Sequence, residues 1–141
     1  MSQHYREQAT GYVIGSESAG ATLTGTYAEN VNNITTKGKS QMQVYVEYVP
    51  AENGAYCMIQ LERGPAADNF FKFIHTGSTE GTEEWIFREI IVPGDITTVA
   101  DTTYKYAASI PVADEYLRLS IKEAEVKADY GTVKIIVTTS G

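Results

Sequence analysis

Short runs in which apolar and polar residues alternate are the feature that most constrains how this chain folds. Apolar side chains take nearly every second position in residues 42–49, 56–63, 116–122 and 132–138. A period of two is that of a β-strand with one buried face. Turn residues separate the runs, and no 3.6-residue pattern is long enough to predict a helix. The alternation therefore predicts an all-β protein.

The number and spacing of these runs predict a two-layer fold. The 141 residues hold about seven to nine short runs, which favours two antiparallel sheets packed face to face. We expect a jelly-roll-like β-sandwich, with an immunoglobulin-like topology as the alternative. The length suits a single domain over residues 1–141. Residues 1–20 carry a weaker signal and are predicted to form either an extended N-terminal arm or outer strands.

Two predictions concern particular runs. Residues 42–49 and 56–63 are joined by a short loop with Pro, Asn and Gly, and are predicted to pair as a hairpin. Residues 85–92 are apolar on both faces, which predicts one strand that is either covered on both sides or partly covered by another subunit. A Gly- and Thr-rich loop is expected over residues 76–82.

Charge and hydropathy exclude several classes of function. Eleven basic residues against eighteen acidic ones give a net charge of −7, and the basic residues are scattered, which argues against nucleic-acid binding. No apolar run approaches the ~18 residues of a membrane helix, and the polar first ten residues do not resemble a signal peptide. Cys57 is the single cysteine and is predicted to be a buried, inert thiol. These features favour a protein that stays in a reducing compartment.

The residues that could support catalysis do not form a recognisable pattern. His4 and His75 are the two histidines, and neither lies beside a Ser or Cys nucleophile motif. We therefore predict that the chain is not an enzyme and has no cofactor. Asp95, Asp101 and Asp129 lie in predicted loops and could supply oxygen ligands to calcium, but their spacing matches no calcium-binding loop, and unrelated surface aspartates are the favoured interpretation.

Outward-facing aromatic residues are the strongest candidates for a binding surface. Tyr45 and Tyr116 lie on the polar side of alternating strands, and Trp85 and Phe87 belong to the run that is apolar on both faces. Such side chains anchor protein interfaces, so the four are predicted interface residues of a structural interaction protein. The alternative is a module that binds carbohydrate or another small ligand by aromatic stacking, with or without calcium.

Two segments carry a resemblance to a known group of proteins. The segment ADEYLRLSIKE at 113–123, followed by the Gly-Thr-Val strand, and the segment KSQMQVYVEY at 39–48 resemble small β-sandwich virion proteins of tailed bacteriophages. The resemblance implies a capsid decoration, cement or adaptor protein that forms a homo-oligomer and binds a capsid or tail component. It also implies a location in the virion, after assembly in the host cytoplasm; the alternative is a cytoplasmic protein.

Overall fold

The structure is a computed structural model that describes residues 8–29, 34–66, 69–72, 74–79, 82–87, 89–112 and 116–141. Within these ranges, only the backbone is described for residues 8–10, 29, 69, 72, 74–79, 82–87 and 89. The described residues form thirteen strands and no helix. The strands are β1 Gln8–Ile14, β2 Ala21–Thr22, β3 Ala28–Glu29, β4 Ile34–Thr35, β5 Gln41–Val49, β6 Tyr56–Ala66, β7 Asn69–Lys72, β8 Ile74–Thr79, β9 Thr82–Phe87, β10 Glu89–Val92, β11 Tyr104–Pro111, β12 Tyr116–Ala124 and β13 Thr132–Ser140.

Two antiparallel sheets contain most of these strands. Sheet one has the order β1-β13-β5-β11, with β2 also paired to β13; sheet two has the order β10-β6-β12-β3, with β4 on β12 and β7 on β6. The predicted antiparallel two-sheet sandwich is therefore confirmed. Along the chain, the main strands pass from one sheet to the other in the order found in a jelly roll. Strands β8 and β9 form a separate two-stranded sheet.

The core lies between the inner faces of the two sheets. Alternate residues of β5 and β13 point inward from sheet one, and alternate residues of β6 and β12 point inward from sheet two. The largest fully buried apolar side chains are Tyr48, Leu23, Met42, Ile59, Leu61, Leu117, Leu119 and Ile135. Truncating one of the aliphatic side chains in such a core to Ala costs about 2 to 5 kcal/mol.

The predicted hairpin of residues 42–49 and 56–63 is wrong. Strand β5 pairs with β11 and β13 in sheet one, whereas β6 pairs with β10, β12 and β7 in sheet two. The loop between them crosses from one sheet to the other. Alternation shows which face of a strand is buried but not which strand lies beside it, since two strands facing each other across a core show the same pattern as two paired strands.

Two further expectations for the middle of the chain are wrong. The run 85–92 is not one strand, because β9 pairs with β8 and β10 pairs with β6. The expected loop over residues 76–82 overlaps a hairpin, since β8 extends to Thr79 and β9 begins at Thr82. Apolar residues on both faces therefore mark a change of sheet here.

The N-terminal region contributes to sheet one. Strand β1 pairs with β13 from Gln8 to Ile14, with a register shift between Tyr12 and Ile14. Residues 1–7 lie outside the described residues. An arm over the whole of residues 1–20 stays a prediction.

Candidate interaction surface

One transverse row of side chains on the outer face of sheet one is apolar. The strand register places Tyr12 opposite Ile136, Ile136 opposite Tyr45, and Tyr45 opposite Ala107. We call these four residues the aromatic row. Tyr12 and Tyr45 are 41% and 44% exposed, and two strand spacings, about 10 Å, separate their backbones.

A shallow groove lies along this row. It encloses about 380 Å³ and is lined by Tyr12, Tyr45, Val46, Glu47, Lys105, Tyr106, Ala107 and Ile136. Lys105, Tyr106 and Ala107 belong to β11, the last strand of sheet one, so the groove reaches the edge of the sheet. A concave surface with aromatic walls and a few polar groups is typical of a binding site.

A row of alternating charges borders one side of the aromatic row. We call Lys134, Glu47 and Lys105, which lie opposite one another on β13, β5 and β11, the charged row. The Glu47 carboxylate lies 3.5 Å from the Lys105 ammonium and 3.7 Å from the Lys134 ammonium. Lys134 also donates a hydrogen bond to the backbone carbonyl of Glu17 at 2.9 Å. The charged row therefore carries a net charge of +1 in a chain whose total is −7.

Uncharged polar side chains border the other side. The amide nitrogen of Gln43 donates to the Ser109 hydroxyl at 2.9 Å across β5 and β11. Thr138 lies opposite Gln43 on β13. The aromatic row thus lies between a charged border and a neutral polar border, as the apolar centre of a protein interface does.

The structure separates the four predicted interface residues. Tyr45 lies in the groove, whereas Tyr116 lies on the outer face of sheet two, where it is half-buried. Trp85 and Phe87 belong to β9, and their side chains lie outside the described part of the chain. The interface role of these residues stays a prediction.

Three members of the aromatic row were missed by the sequence analysis. Tyr12 lies in a weakly patterned segment, and its position on the outer face depends on the β1–β13 register. Ile136 follows another isoleucine in an otherwise alternating strand, and this doublet is the signal that places an apolar side chain on the outer face. Ala107 is too small to carry any signal.

Cys57 and the buried Glu123 lie opposite each other on β6 and β12. Cys57 is fully buried, and burial, with a smaller contribution from Glu123, raises the pKa of its thiol to about 12. The Tyr48 hydroxyl and the Gly131 amide, the latter at 2.7 Å, donate hydrogen bonds to the Glu123 carboxylate. Burial and this carboxylate raise the pKa of Tyr48 far above its ordinary value. A thiol with so high a pKa is not a nucleophile at neutral pH, so the predicted inert thiol is consistent with this environment.

All three aspartates considered as calcium ligands take part in hydrogen bonds within the fold, Asp95 through its carboxylate, and Asp101 and Asp129 through their backbone amides. Asp95 accepts a hydrogen bond from the Tyr106 hydroxyl at 2.6 Å, which raises the pKa of that phenol. Asp101 takes a left-handed backbone conformation with φ of 62°, and its amide donates to the Pro50 carbonyl at 2.8 Å. Among the described side chains, no three His, Cys, Asp or Glu residues are grouped as metal ligands. His4 and the side chain of His75 lie outside the described residues.

Comparison with known proteins adds no family to this description. No protein-family model and no curated protein matches the chain. Within the part of the chain that the structure describes, no helix is long and apolar enough to cross a membrane.

Proposed function

We propose that this chain is a non-enzymatic structural protein that binds other subunits of an assembly through the outer face of sheet one. The aromatic row is the observation that carries the proposal. Its apolar centre and polar borders resemble the anatomy of a protein interface, and the two half-exposed tyrosines are side chains that anchor such interfaces.

The partner surface follows from the charges of this face. The charged row alternates Lys134, Glu47 and Lys105, so a second copy related by a twofold axis could place its own glutamate against a lysine. We therefore propose that the partner bound by this face is a second copy of the chain.

The resemblance to phage virion proteins supports a more specific role. A capsid decoration, cement or adaptor protein works through repeated subunit contacts and needs no catalytic residue. The jelly-roll strand order is used by many viral capsid proteins, which supports the proposal by analogy of fold alone.

The test is the solution mass over a concentration series, measured by light scattering. We expect the wild-type mass to rise with concentration and the Tyr45→Arg variant to show a smaller rise. Phe71→Arg is the matched control, because Phe71 is an aromatic residue, 59% exposed, on sheet two. Equal masses for wild type and Tyr45→Arg at every concentration contradict self-assembly through this face.

A second candidate function is carbohydrate binding, which the groove specifically favours. Tyr12 and Tyr45 offer ring surfaces for stacking on sugars, and Glu47 and Lys105 offer hydrogen-bonding groups at the border. The test is a titration with a panel of glycans monitored by NMR. Tyr45→Ala should abolish binding, and Tyr116→Ala, on the other sheet, should leave it unchanged; no shift with any glycan contradicts this function.

A further inference from the structure

The free edge of β11 is the longest regular edge of the sandwich that the structure describes. Strand β11 pairs with β5 over eight residues without a register shift. The other edges are shorter or irregular: β1 has a register shift, β10 has four residues, and β3 and β4 have two each. Short and bulged edges resist the addition of another chain, whereas a long regular edge is a template for it.

The direction of the backbone groups on this edge follows from one hydrogen bond. The Val112 amide donates to the Ser40 carbonyl at 3.0 Å. Because bonded and non-bonded pairs alternate in an antiparallel ladder, every second residue before Val112 also bonds to β5. The intervening residues Lys105, Ala107 and Ser109 therefore direct their N–H and C=O groups to the free edge.

These edge groups have no hydrogen-bond partner among the described residues. The next residue in the series, Pro111, has no N–H, and its carbonyl accepts a hydrogen bond from Arg63 at 3.2 Å. The open part of the edge thus ends at Pro111. Its other end is marked by Lys105, and the five residues between, 106–110, contain neither a charge nor a proline.

Lysine and proline are residues that protect sheet edges, but here they stand at the two ends and leave the middle open. The strand contains no carboxylate, in a chain with a net charge of −7. It is therefore a segment along which two copies of this acidic protein can approach with little repulsion.

We propose that a second copy of this chain pairs antiparallel with the free edge of β11, about a twofold axis at Ala107. In this register Ala107 faces Ala107 of the second copy, and Lys105 faces Ser109 of the second copy. The three edge residues of each copy then form roughly six backbone hydrogen bonds. The two lysines lie at opposite ends of the pair and do not face each other.

This dimer joins the two copies of sheet one into a continuous sheet. The aromatic rows of the two copies meet at Ala107, which places the two Tyr45 backbones three strand spacings apart, about 14 Å. The edge is a different surface from the outer face, so either contact can form without the other. Two exposed apolar side chains, Ile96 and Val99, lie in the loop that leads into β11.

Disulfide crosslinking at the twofold axis tests the register. The Cα atoms of a hydrogen-bonded antiparallel pair lie about 5.5 Å apart, which is within the range that a disulfide spans. Ala107→Cys should therefore form a covalent dimer on mild oxidation about ten times faster than the control Ala19→Cys. Ala19 is also an exposed alanine, in the loop between β1 and β2. The native Cys57 is fully buried and does not contribute.

A second pair of variants tests the hydrogen bonds of the edge. Ser109→Pro removes an N–H that points away from β5, so the monomer keeps its own ladder. Ser109→Ala is the control, because it loses the same hydroxyl but keeps the amide. Because a strand pair buries less area than a standard interface, the masses are compared at the highest concentration. In the Tyr45→Arg background, which removes the contact through the outer face, we expect a dimer for Ser109→Ala and a monomer for Ser109→Pro.

Two results would overturn the edge dimer. One is crosslinking of Ala107→Cys no faster than that of Ala19→Cys, as expected if the edge instead binds an extended segment of a different protein. The other is an equal mass for folded Ser109→Pro and Ser109→Ala; if Ser109→Pro does not fold, the crosslinking rate decides. Repeating the crosslinking in a Tyr45→Arg background separates the two proposals, since the edge dimer should survive there even if the outer face binds no partner.

Discussion

The two sheets of the sandwich differ in how deeply the residues of their outer faces are buried. On sheet one, β5 and β13 alternate between buried inward and less buried outward residues along their length. On sheet two, β6 and β12 are buried on both faces in their central parts. There the outward residues Gln60, Glu62 and Ser120 are polar and yet buried.

The centres of the two outer faces therefore differ. Tyr12 and Tyr45 are half-exposed on sheet one, while the central polar residues of sheet two are buried. Exposed aromatic residues are not confined to sheet one, since Phe71 is exposed on β7 of sheet two. The chain itself covers part of sheet two: the Phe70 ring lies 4.4 Å from the Arg118 guanidinium carbon, and the Tyr27 ring lies 4.7 Å from the Lys122 ammonium. Because buried polar groups need partners within the fold, the centre of sheet two depends on contacts from the chain itself, whereas the outward residues of sheet one stay less buried.

The sharpest test of this difference is a charge placed on each outer face. Ser120→Lys places an ammonium group at a position that is 3% exposed. It should lower the free energy of unfolding by about 3 to 4 kcal/mol. Ile136→Lys, on sheet one, should cost less than about 1 kcal/mol because its ammonium reaches water. Urea unfolding of both variants measures the two losses. Equal losses would show that the two outer faces are equally covered.

The two faces of strand β5 can be compared with two tyrosines. The Tyr48 hydroxyl donates to the buried Glu123 carboxylate, and Tyr48→Phe should cost about 2 to 3 kcal/mol, since a hydrogen bond to a charged group is lost. Tyr45→Phe should change the stability by less than about 0.5 kcal/mol. Thermal unfolding of the two variants at low protein concentration, where assembly is absent, gives the comparison. A loss for Tyr45→Phe as large as for Tyr48→Phe would mean that the Tyr45 hydroxyl is bonded within the fold.

The ion pairs on the two outer faces should also differ in their contribution to the free energy of unfolding, by less than the two tyrosines do. Arg118 donates to Glu62 at 2.6 Å, and their side chains are 23% and 9% exposed. Arg118→Ala should cost about 1.5 to 2 kcal/mol, because it leaves a buried carboxylate without its cation. Lys105→Ala should cost less than about 0.5 kcal/mol, because the Lys105–Glu47 pair is solvated and Lys134 remains beside Glu47. Adding salt should reduce the stability loss of Lys105→Ala but not that of Arg118→Ala. An equal response of both variants to salt would contradict the expectation that only the Lys105–Glu47 pair is solvated.

The fold class could be predicted from the sequence because each long strand has at least one face buried in the core. The alternation in 42–49 and 132–138 directly gives the inward residues of β5 and β13. It does not give strand neighbours, which is why the expected hairpin of β5 and β6 is wrong. Strand pairing depends on whether the loop between two strands turns back within one sheet or crosses to the other sheet. The periodicity of a single sequence does not show which of the two occurs.

The candidate surface could be predicted only in part, for the same reason. Tyr45 stands out because an aromatic residue occupies a polar position of a regular strand. Tyr12 and Ala107 join it only through register with β13 and β5, contacts that are distant in sequence. Tyr116 has the same local signal as Tyr45 but lies on the outer face that the chain largely covers. Local pattern therefore identifies outward aromatic residues, whereas long-range pairing decides which of them share a surface.

The β5–β6 loop, which joins the two sheets, is the site of the smallest predicted effect on stability. The Glu52 carboxylate, in the loop between β5 and β6, accepts hydrogen bonds from three successive amides, those of Lys127 at 2.9 Å, Ala128 at 2.7 Å and Asp129 at 2.5 Å. These bonds, that of Asp129 first, lower the pKa of Glu52 below its ordinary value. These hydrogen bonds connect the β5–β6 loop, which crosses between the sheets, to the loop between β12 and β13.

The sign of the pH dependence follows from that lowered pKa. A carboxyl group with a lower pKa in the folded state stabilises the fold above its unfolded-state pKa, and this stabilisation is lost as the pH falls through the folded-state value. Wild type should therefore exceed Glu52→Gln in stability at neutral pH, and the difference should shrink in acid, below the ordinary glutamate pKa. Glu17→Gln, at an exposed position in the loop between β1 and β2, should show no such trend. A difference between wild type and Glu52→Gln that stays constant in urea unfolding from neutral pH into acid would mean that the three amides do not hold the charged carboxylate in solution.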